Sequence, residues 1–139
     1  MSKAFSVGLT TVSMTNTTTT TMAEYKFVKL ATTENECDLT TTLGVNCYGV
    51  TQEAIDPSQS GNVALCSAGG ISRLKMCSTA YTTKTLDTTS IYIGAAANGS
   101  GRRLTSTTSI VGAISNGQSW AASDIISAQL IPARRVIEG

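Results

Sequence analysis

The 139-residue sequence has no histidine, few charged residues (14%) and few aromatic residues (5%). Without an imidazole, one chain cannot build a Ser-His-Asp or Cys-His catalytic arrangement. The net charge of +1 offers no basic excess for binding nucleic-acid phosphates. No apolar stretch approaches the roughly 20 residues of a membrane-spanning helix. We therefore expect a protein that is not an enzyme and that binds neither nucleic acid nor membrane.

The four cysteines, Cys37, Cys47, Cys66 and Cys77, form no CxxC pair. A zinc site would need all four thiolates at irregular separations, so we expect no metal and no cofactor. The stretch SVGLTTVSMTNTTTT is too polar to be the apolar part of a signal peptide, which indicates synthesis in a cytosol. Thiols stay reduced there, and we expect free cysteines rather than a disulfide framework.

Short runs of period two, separated by Gly, Pro, Asn and Ser, dominate the chain from Glu24 onward. The clearest runs are EYKFVKLAT, VNCYGVTQEAI, VALCS, ISRLKMCS, SIVGAIS and DIISAQLIP. In the last run Ile126, Ala128 and Leu130 are expected to face inward, and Pro132 to end the ladder because it has no N–H to donate. The pattern predicts an all-β fold, a small antiparallel β-barrel or sandwich over residues 24–132, followed by a tail over residues 133–139.

The leader, residues 1–23, has a different composition and contains the run TNTTTTTM. Threonine is β-branched, so it disfavours helix and tolerates extended backbone. The run offers hydroxyls and methyls but no hydrophobic face, and it therefore needs a partner. We expect an extended N-terminal arm that adds as a strand to another subunit. The side chains expected to fill pockets of that neighbour are Phe5, Val7, Leu9 and Val12.

Three further residues are candidates for a subunit interface. Trp120 is the only tryptophan. Its simplest interpretation is a core or edge plug, and its alternative is an interface anchor, because aromatic residues are enriched at interface centres. Arg134 and Arg135 are interpreted first as solvated or rim charges, and second as partners of acidic groups on a neighbour.

The order of several short motifs resembles that of the capsid cement, or head decoration, proteins of tailed bacteriophages. The motifs are YGV (Tyr48 to Val50), GNVAL (Gly61 to Leu65), GGI (ending at Ile71), IVGAI (Ile110 to Ile114) and DIISAQLIP (Asp124 to Pro132). The resemblance covers about Phe27 to Pro132. The sequence departs from the family in its Thr-rich leader, its four cysteines and its tail ARRVIEG.

The resemblance implies a small β protein, made in the host cytoplasm, that binds the outside of an assembled capsid and stabilises it. The implied partners are the major capsid protein and neighbouring copies of this chain, as a homotrimer. A carbohydrate-binding or adhesion module, such as a tail-fibre domain, is the alternative, since such modules are also rich in β-strands and threonine. They usually stack sugars on exposed aromatic residues, and 5% aromatic content is low for that role.

Overall fold

The computed structural model describes residues 4–40, 47–78, 92–104, 110–115 and 120–135. These residues form ten strands and two short 3-10 turns, which confirms the all-β prediction. The strands are β1 (Thr11–Asn16), β2 (Phe27–Leu30), β3 (Glu36–Leu39), β4 (Gly49–Thr51), β5 (Ser60–Leu65), β6 (Ile71–Lys75), β7 (Tyr92–Ala95), β8 (Gly101–Arg103), β9 (Ile110–Ile114) and β10 (Ile125–Arg135). Within the described ranges, no helix has the length and apolarity to cross a membrane.

Strands β1 to β5 close into a barrel in the order β1-β3-β2-β4-β5. The pairing of β1 with β3 is parallel, and the other pairings are antiparallel. Inside the barrel lies a cluster of buried side chains: Met14, Met22, Val28, Cys37, Ile55 and Val63. This cluster is built from the first half of the chain alone.

Strands β6 to β10 form a second sheet in the order β6-β10-β9-β7-β8. An isolated parallel bridge between Met76 and Gly101 brings the end of β6 beside β8, so this sheet curls back on itself. Its buried side chains join residues of the first barrel in one continuous cluster. The members are Phe27, Cys47, Val50, Ala64, Cys66, Leu74, Met76, Ile93, Ala95, Ala113, Trp120, Ala128 and Leu130.

The two halves have the same topology. If β1 to β5 are matched in order with β6 to β10, each half has a parallel pairing of its first and third strands and the same four antiparallel pairings. The residue registers match as well. The matched pairs include Thr15–Ser60 with Lys75–Ile125, Val28–Leu39 with Ile93–Arg103, Phe27–Val50 with Tyr92–Ile114, and Gly49–Leu65 with Ala113–Leu130.

Hydrogen bonds outside the ladders repeat at the same matched positions. The backbone amide of Asn16 donates to the Gln59 carbonyl at 2.9 Å, and the backbone amide of Met76 donates to the Asp124 carbonyl at 2.8 Å. Further matched donor–acceptor pairs are Leu65–Thr10 with Leu130–Gly70, Thr40–Phe27 with Leu104–Tyr92, and Gln59–Asp56 with Asp124–Ala121. The chain is thus a tandem structural repeat, here called module 1 (residues 10–65) and module 2 (residues 70–135).

The leader corrects one sequence prediction. Strand β1 lies inside the module 1 barrel, where it pairs with both β3 and β5 of its own chain. Met14 is 2% exposed and Met22 is fully buried. The stretch from β1 to Met22 therefore belongs to the barrel and not to a separate arm, because the ladder partners that an extended threonine-rich strand needs come from the same chain.

The threonine run is organised by one buried side chain. The side-chain Nδ2 of Asn16 donates to the backbone carbonyls of Thr20 (2.9 Å) and Ile55 (2.8 Å). Its carbonyl oxygen accepts from the amide (2.8 Å) and the hydroxyl (2.6 Å) of Thr18. The run is thus a loop folded around Asn16, and it leads into Met22, which pairs with Ile55.

The last strand confirms one expectation and corrects another. Ala128 and Leu130 are buried and Ile126 packs against the core, as predicted. Strand β10 nevertheless continues past Pro132 to Arg135, so the ladder does not end at the proline. Its register with β9 shifts between Leu130 and Arg134, where the proline has no N–H to donate.

Candidate interaction surfaces

The cysteines are packing groups. None of the four is in a disulfide, as predicted, and Cys37, Cys47 and Cys66 are buried. Burial raises the pKa of Cys37 to about 11 and that of Cys47 to about 12, and it raises the pKa of Cys66 further. Thiols with raised pKa values stay protonated near neutral pH and are poor nucleophiles. Among the residues that the structure describes, no three His, Cys, Asp or Glu side chains are grouped to hold a metal ion.

Residues 4–8, here called the N-terminal strap, lie along the outer edge of β6. Val7 and Ile71 exchange two backbone hydrogen bonds, each 2.8 Å long. The strap then turns at Gly8, with φ +69°, and crosses Gly70 closely. A Cβ atom on Gly70 would lie 2.4 Å from the Gly8 carbonyl oxygen. A side chain at position 70 would therefore push the strap away from β6.

Arg73 holds the first residues of the strap. Its backbone amide donates to the Ser6 hydroxyl at 3.0 Å, and its Nε donates to the Ala4 carbonyl at 3.2 Å. Its Nη1 donates to the Tyr25 hydroxyl at 3.1 Å, and the guanidinium lies 5.8 Å from the centre of the Tyr25 ring. Arg73, on β6 of module 2, thus contacts both the strap and Tyr25 of module 1.

An apolar surface surrounds the strap on the outside of module 2. Phe5 and Val7 are 50% and 55% exposed. Beside Phe5 lies a cleft of about 140 Å³, lined by Phe5, Ile71, Ile114, Ser115, Ser127 and Gln129. Tyr92 pairs in register with Ile114, so the two side chains share one face of the sheet. We call Phe5, Ile71, Tyr92 and Ile114 the module 2 outer face.

A second surface is an open mouth in the module 1 barrel. The ladder between β1 and β3 begins only at the Thr15–Glu36 pair, so the first half of β1 is paired with β5 alone. Between that half and the β2–β3 turn lies a cleft of about 390 Å³. It is lined by Val12, Met14, Leu30, Ala31, Thr32, Thr33, Glu34, Asn35 and Tyr48. Leu30 is 53% exposed. We call this cleft the module 1 notch.

The predicted arm residues fall on different surfaces. Phe5 and Val7 are exposed on the strap, whereas Leu9 is half-buried against the larger core cluster and Val12 is half-buried at the notch. That they contact a neighbouring subunit stays a prediction. The sequence did not indicate a surface role for Leu30, Tyr48, Tyr92 or Ile114, because nothing in a period-two pattern shows which face of a strand is left uncovered.

The predicted interface residues fare differently. Trp120 is 4% exposed and lies in the larger core cluster, as the core-plug interpretation expects, and its alternative role as an interface anchor stays a prediction. The backbones of Arg134 and Arg135 pair with Val111 and Ile110. Their side chains lie outside the described part of the structure, and their interface role stays a prediction.

Comparisons with known proteins show a similarity of fold. No protein-family model matches the sequence, and a search of curated proteins finds no match. Among solved structures, the chain is similar to the N base of the head fiber protein gp8.5 of bacteriophage phi29, with a TM-score of 0.63 and 8% sequence identity. The similarity covers 95% of this chain and 100% of that chain. At this identity it shows that the two chains share a fold.

Proposed function

We propose that this chain is a structural protein of a bacteriophage virion that binds the outside of the assembled capsid and stabilises it. The observation that carries the proposal is the fold shared with the base of a phage head fiber over 95% of the chain. The motif order that resembles capsid cement proteins supports the same role independently of that similarity. The proposed partners are the major capsid protein and neighbouring copies of this chain, as a homotrimer.

The surface chemistry fits a protein that works by binding. Phe5 and Val7 on the strap and Leu30 at the notch are each at least half exposed, and exposed apolar surface of this kind marks interaction sites. The buried thiols with raised pKa values supply no nucleophile. Attachment to a capsid needs apolar anchors and strand edges, which are the features that these surfaces offer.

Co-sedimentation with bare capsids tests the proposal. Purified protein should pellet with capsids to saturation, should appear on their outer surface in electron micrographs, and should raise their resistance to heat. The double variant Phe5→Ser with Val7→Ser should pellet less, while Thr19→Ala, at an exposed position outside both surfaces, should behave as wild type. Protein that stays in the supernatant over the whole concentration series would contradict the proposal.

The module 1 notch supports a second candidate, a carbohydrate-binding module. The notch places the half-buried ring of Tyr48 beside the hydroxyls of Thr32 and Thr33 and the Glu34 carboxylate. An aromatic ring beside several polar groups is a chemistry that suits sugars. Glycan-array binding that Tyr48→Ala abolishes would favour this function over capsid attachment.

A further inference from the structure

The repeat allows the notch of module 1 to be compared with the matched region of module 2. Gly112 of module 2 matches Tyr48 of module 1 in the strand registers. A Cβ atom on Gly112 would lie 2.7 Å from the Sγ atom of Cys47 and 3.0 Å from the ring of Phe27. The module 2 region is therefore filled by module 1, and a glycine allows the close approach.

Other matched positions of module 2 contact module 1 in the same way. Ser72, which matches Val12, accepts a 2.9 Å hydrogen bond from the Gln52 side-chain amide. A Cβ atom on Gly99, which matches Asn35, would lie 2.6 Å from the Phe27 carbonyl oxygen. Phe27 and its neighbours thus plug the mouth of module 2.

The plug comes from the outer face of module 1. Val28 points into the barrel, whereas Phe27 and Val50, which pair in register, point out of it and belong to the cluster shared with module 2. The positions matched to Phe27 and Val50 are Tyr92 and Ile114. These two residues belong to the module 2 outer face, where Ile114 and the exposed Phe5 line the same cleft.

Each chain therefore forms this contact once, between its own modules, and also carries a second pair of matching surfaces. Inside the chain, the module 1 outer face fills the module 2 mouth. In the described structure, the module 1 notch remains an open cleft of about 390 Å³, and Phe5 and Ile114 line a second cleft on the module 2 outer face. The notch matches the mouth of module 2, and the module 2 outer face matches the Phe27 and Val50 face of module 1. Those two matched surfaces already contact each other inside the chain.

We infer that the module 1 notch binds the module 2 outer face of another copy of this chain. The contact repeats, between copies, the packing of one module on the next within the chain. It joins different surfaces of the two partners, so it continues from copy to copy and gives a ring or a filament. The inference concerns the purified protein and does not depend on attachment to a capsid.

The contact between copies is less close than the contact inside the chain. The notch has the Tyr48 ring where module 2 has Gly112, so the backbone of the incoming module stays farther away. Aromatic contact between Tyr48 and Tyr92 or Phe5 replaces that close packing. Assembly is therefore reversible and depends on concentration, whereas the two modules of one chain stay together.

Two charge-inserting variants separate the two surfaces. Leu30→Glu blocks the notch and leaves the outer face intact, and Phe5→Glu blocks the outer face and leaves the notch intact. Both residues are at least half exposed, so neither change buries a charge in the fold. Thr19→Glu, at an exposed position outside both surfaces, is the matched control. Circular dichroism verifies that all three variants fold.

Sedimentation velocity over a concentration series gives the result. Wild type and Thr19→Glu should assemble beyond the dimer, and each of the other variants should show a dissociation constant raised at least about tenfold. An equimolar mixture of Leu30→Glu and Phe5→Glu should form a dimer and nothing larger, because each such dimer uses one intact notch and one intact outer face.

Several outcomes would overturn the inference. Wild type that stays monomeric or stops at the dimer would exclude a contact that continues from copy to copy. A mixture of the two variants that stays monomeric would exclude the pairing of these two surfaces. Monomeric wild type whose capsid binding is lost in Leu30→Glu would assign the notch to a capsid segment, so the capsid role would stand while this inference failed.

Discussion

Modules 1 and 2 share strand order and register, but their interiors are completed differently. Module 1 encloses a cluster of its own residues, from Met14 to Val63. The interior of module 2, including Leu74 and Ile93, is continuous with Phe27 and Val50 of module 1. One topology can therefore be self-sufficient or dependent on a neighbour, according to which residues plug the mouth of its barrel.

The largest expected effect is on the separated modules. Residues 1–69 should fold alone because module 1 encloses a cluster of its own residues, whereas residues 70–139 should not, because module 2 loses the Phe27 plug and a domain of this size has little stability to spare. Circular dichroism and dispersion of amide proton resonances would distinguish the two fragments. A cooperative thermal transition in the fragment of residues 70–139 would show that module 2 does not depend on module 1.

A deletion pair gives the next largest effect. Removing residues 1–16 should unfold module 1, because β1 supplies Met14 and closes the barrel between β3 and β5. Removing residues 1–8 should leave the fold intact and lower its stability by the few strap hydrogen bonds, each worth about 0.5 to 1.5 kcal/mol. Urea unfolding of both proteins measures the difference. A folded protein without residues 1–16 would restore the interpretation of the leader as an arm separate from the β domain.

Loss of the buried Asn16 side chain should have a smaller effect on stability. Asn16→Ala leaves the buried Ile55 carbonyl without its side-chain partner and should cost about 2 to 3 kcal/mol. Urea unfolding measures this loss.

Thr18 supplies the control for Asn16. Thr18→Ser keeps the hydroxyl that donates to Asn16 and should be mild, while Thr18→Val should cost more. Asn16→Met, which copies the residue of module 2, should be as harmful as alanine, because methionine cannot donate to the loop carbonyls. A stable Asn16→Met protein would show that the loop does not depend on this amide.

The smallest effect is the pH dependence from the buried thiols. The folded-state pKa of Cys47 is raised to about 12 by burial, above its value in the unfolded chain near 9. The unfolded state therefore releases this proton first, and the stability that is present below pH 9 falls as the pH rises toward 12, by at most about 1.4 kcal/mol per pH unit for one proton. Cys47→Ala should flatten the stability profile between pH 9 and 10 relative to wild type. An unchanged slope would mean that this thiol does not titrate on unfolding.

The sequence supports predictions where a strand has one buried face. DIISAQLIP alternates because only one of its faces packs on the core, and the inward residues were predicted correctly. Phe27 and Val28 are both fully buried, since β2 lies between the barrel interior and module 2, and alternation does not describe such a strand. Met14 and Met22 were the signal that the leader contributes to a core, and the threonines around them obscured it.

The repeat itself is almost invisible in the sequence. Leu65 and Leu130 are the only identical pair among the matched strand residues. Aromatic followed by β-branched residues recur at Phe27–Val28 and Tyr92–Ile93, which is too little to detect a repeat. Hydrogen-bond register is carried by the backbone, so two segments can share it while their side chains diverge. The notch and the outer face could not be predicted either. Both are recognised only by matching module 1 with module 2, and the sequence does not reveal that match.

The outer face formed by Phe27 and Val50 has a consequence for the order of events during translation. Module 1 leaves the ribosome first and carries its own enclosed cluster, so it can fold while module 2 is still being synthesised. Its outer face is then already formed when β6 to β10 fold and pack against it. Before that, the same apolar face is open to other nascent chains. Slow synthesis of residues 70–135 would therefore prolong the period in which this apolar face is exposed to other chains, and a temporary cover for Phe27 would protect it.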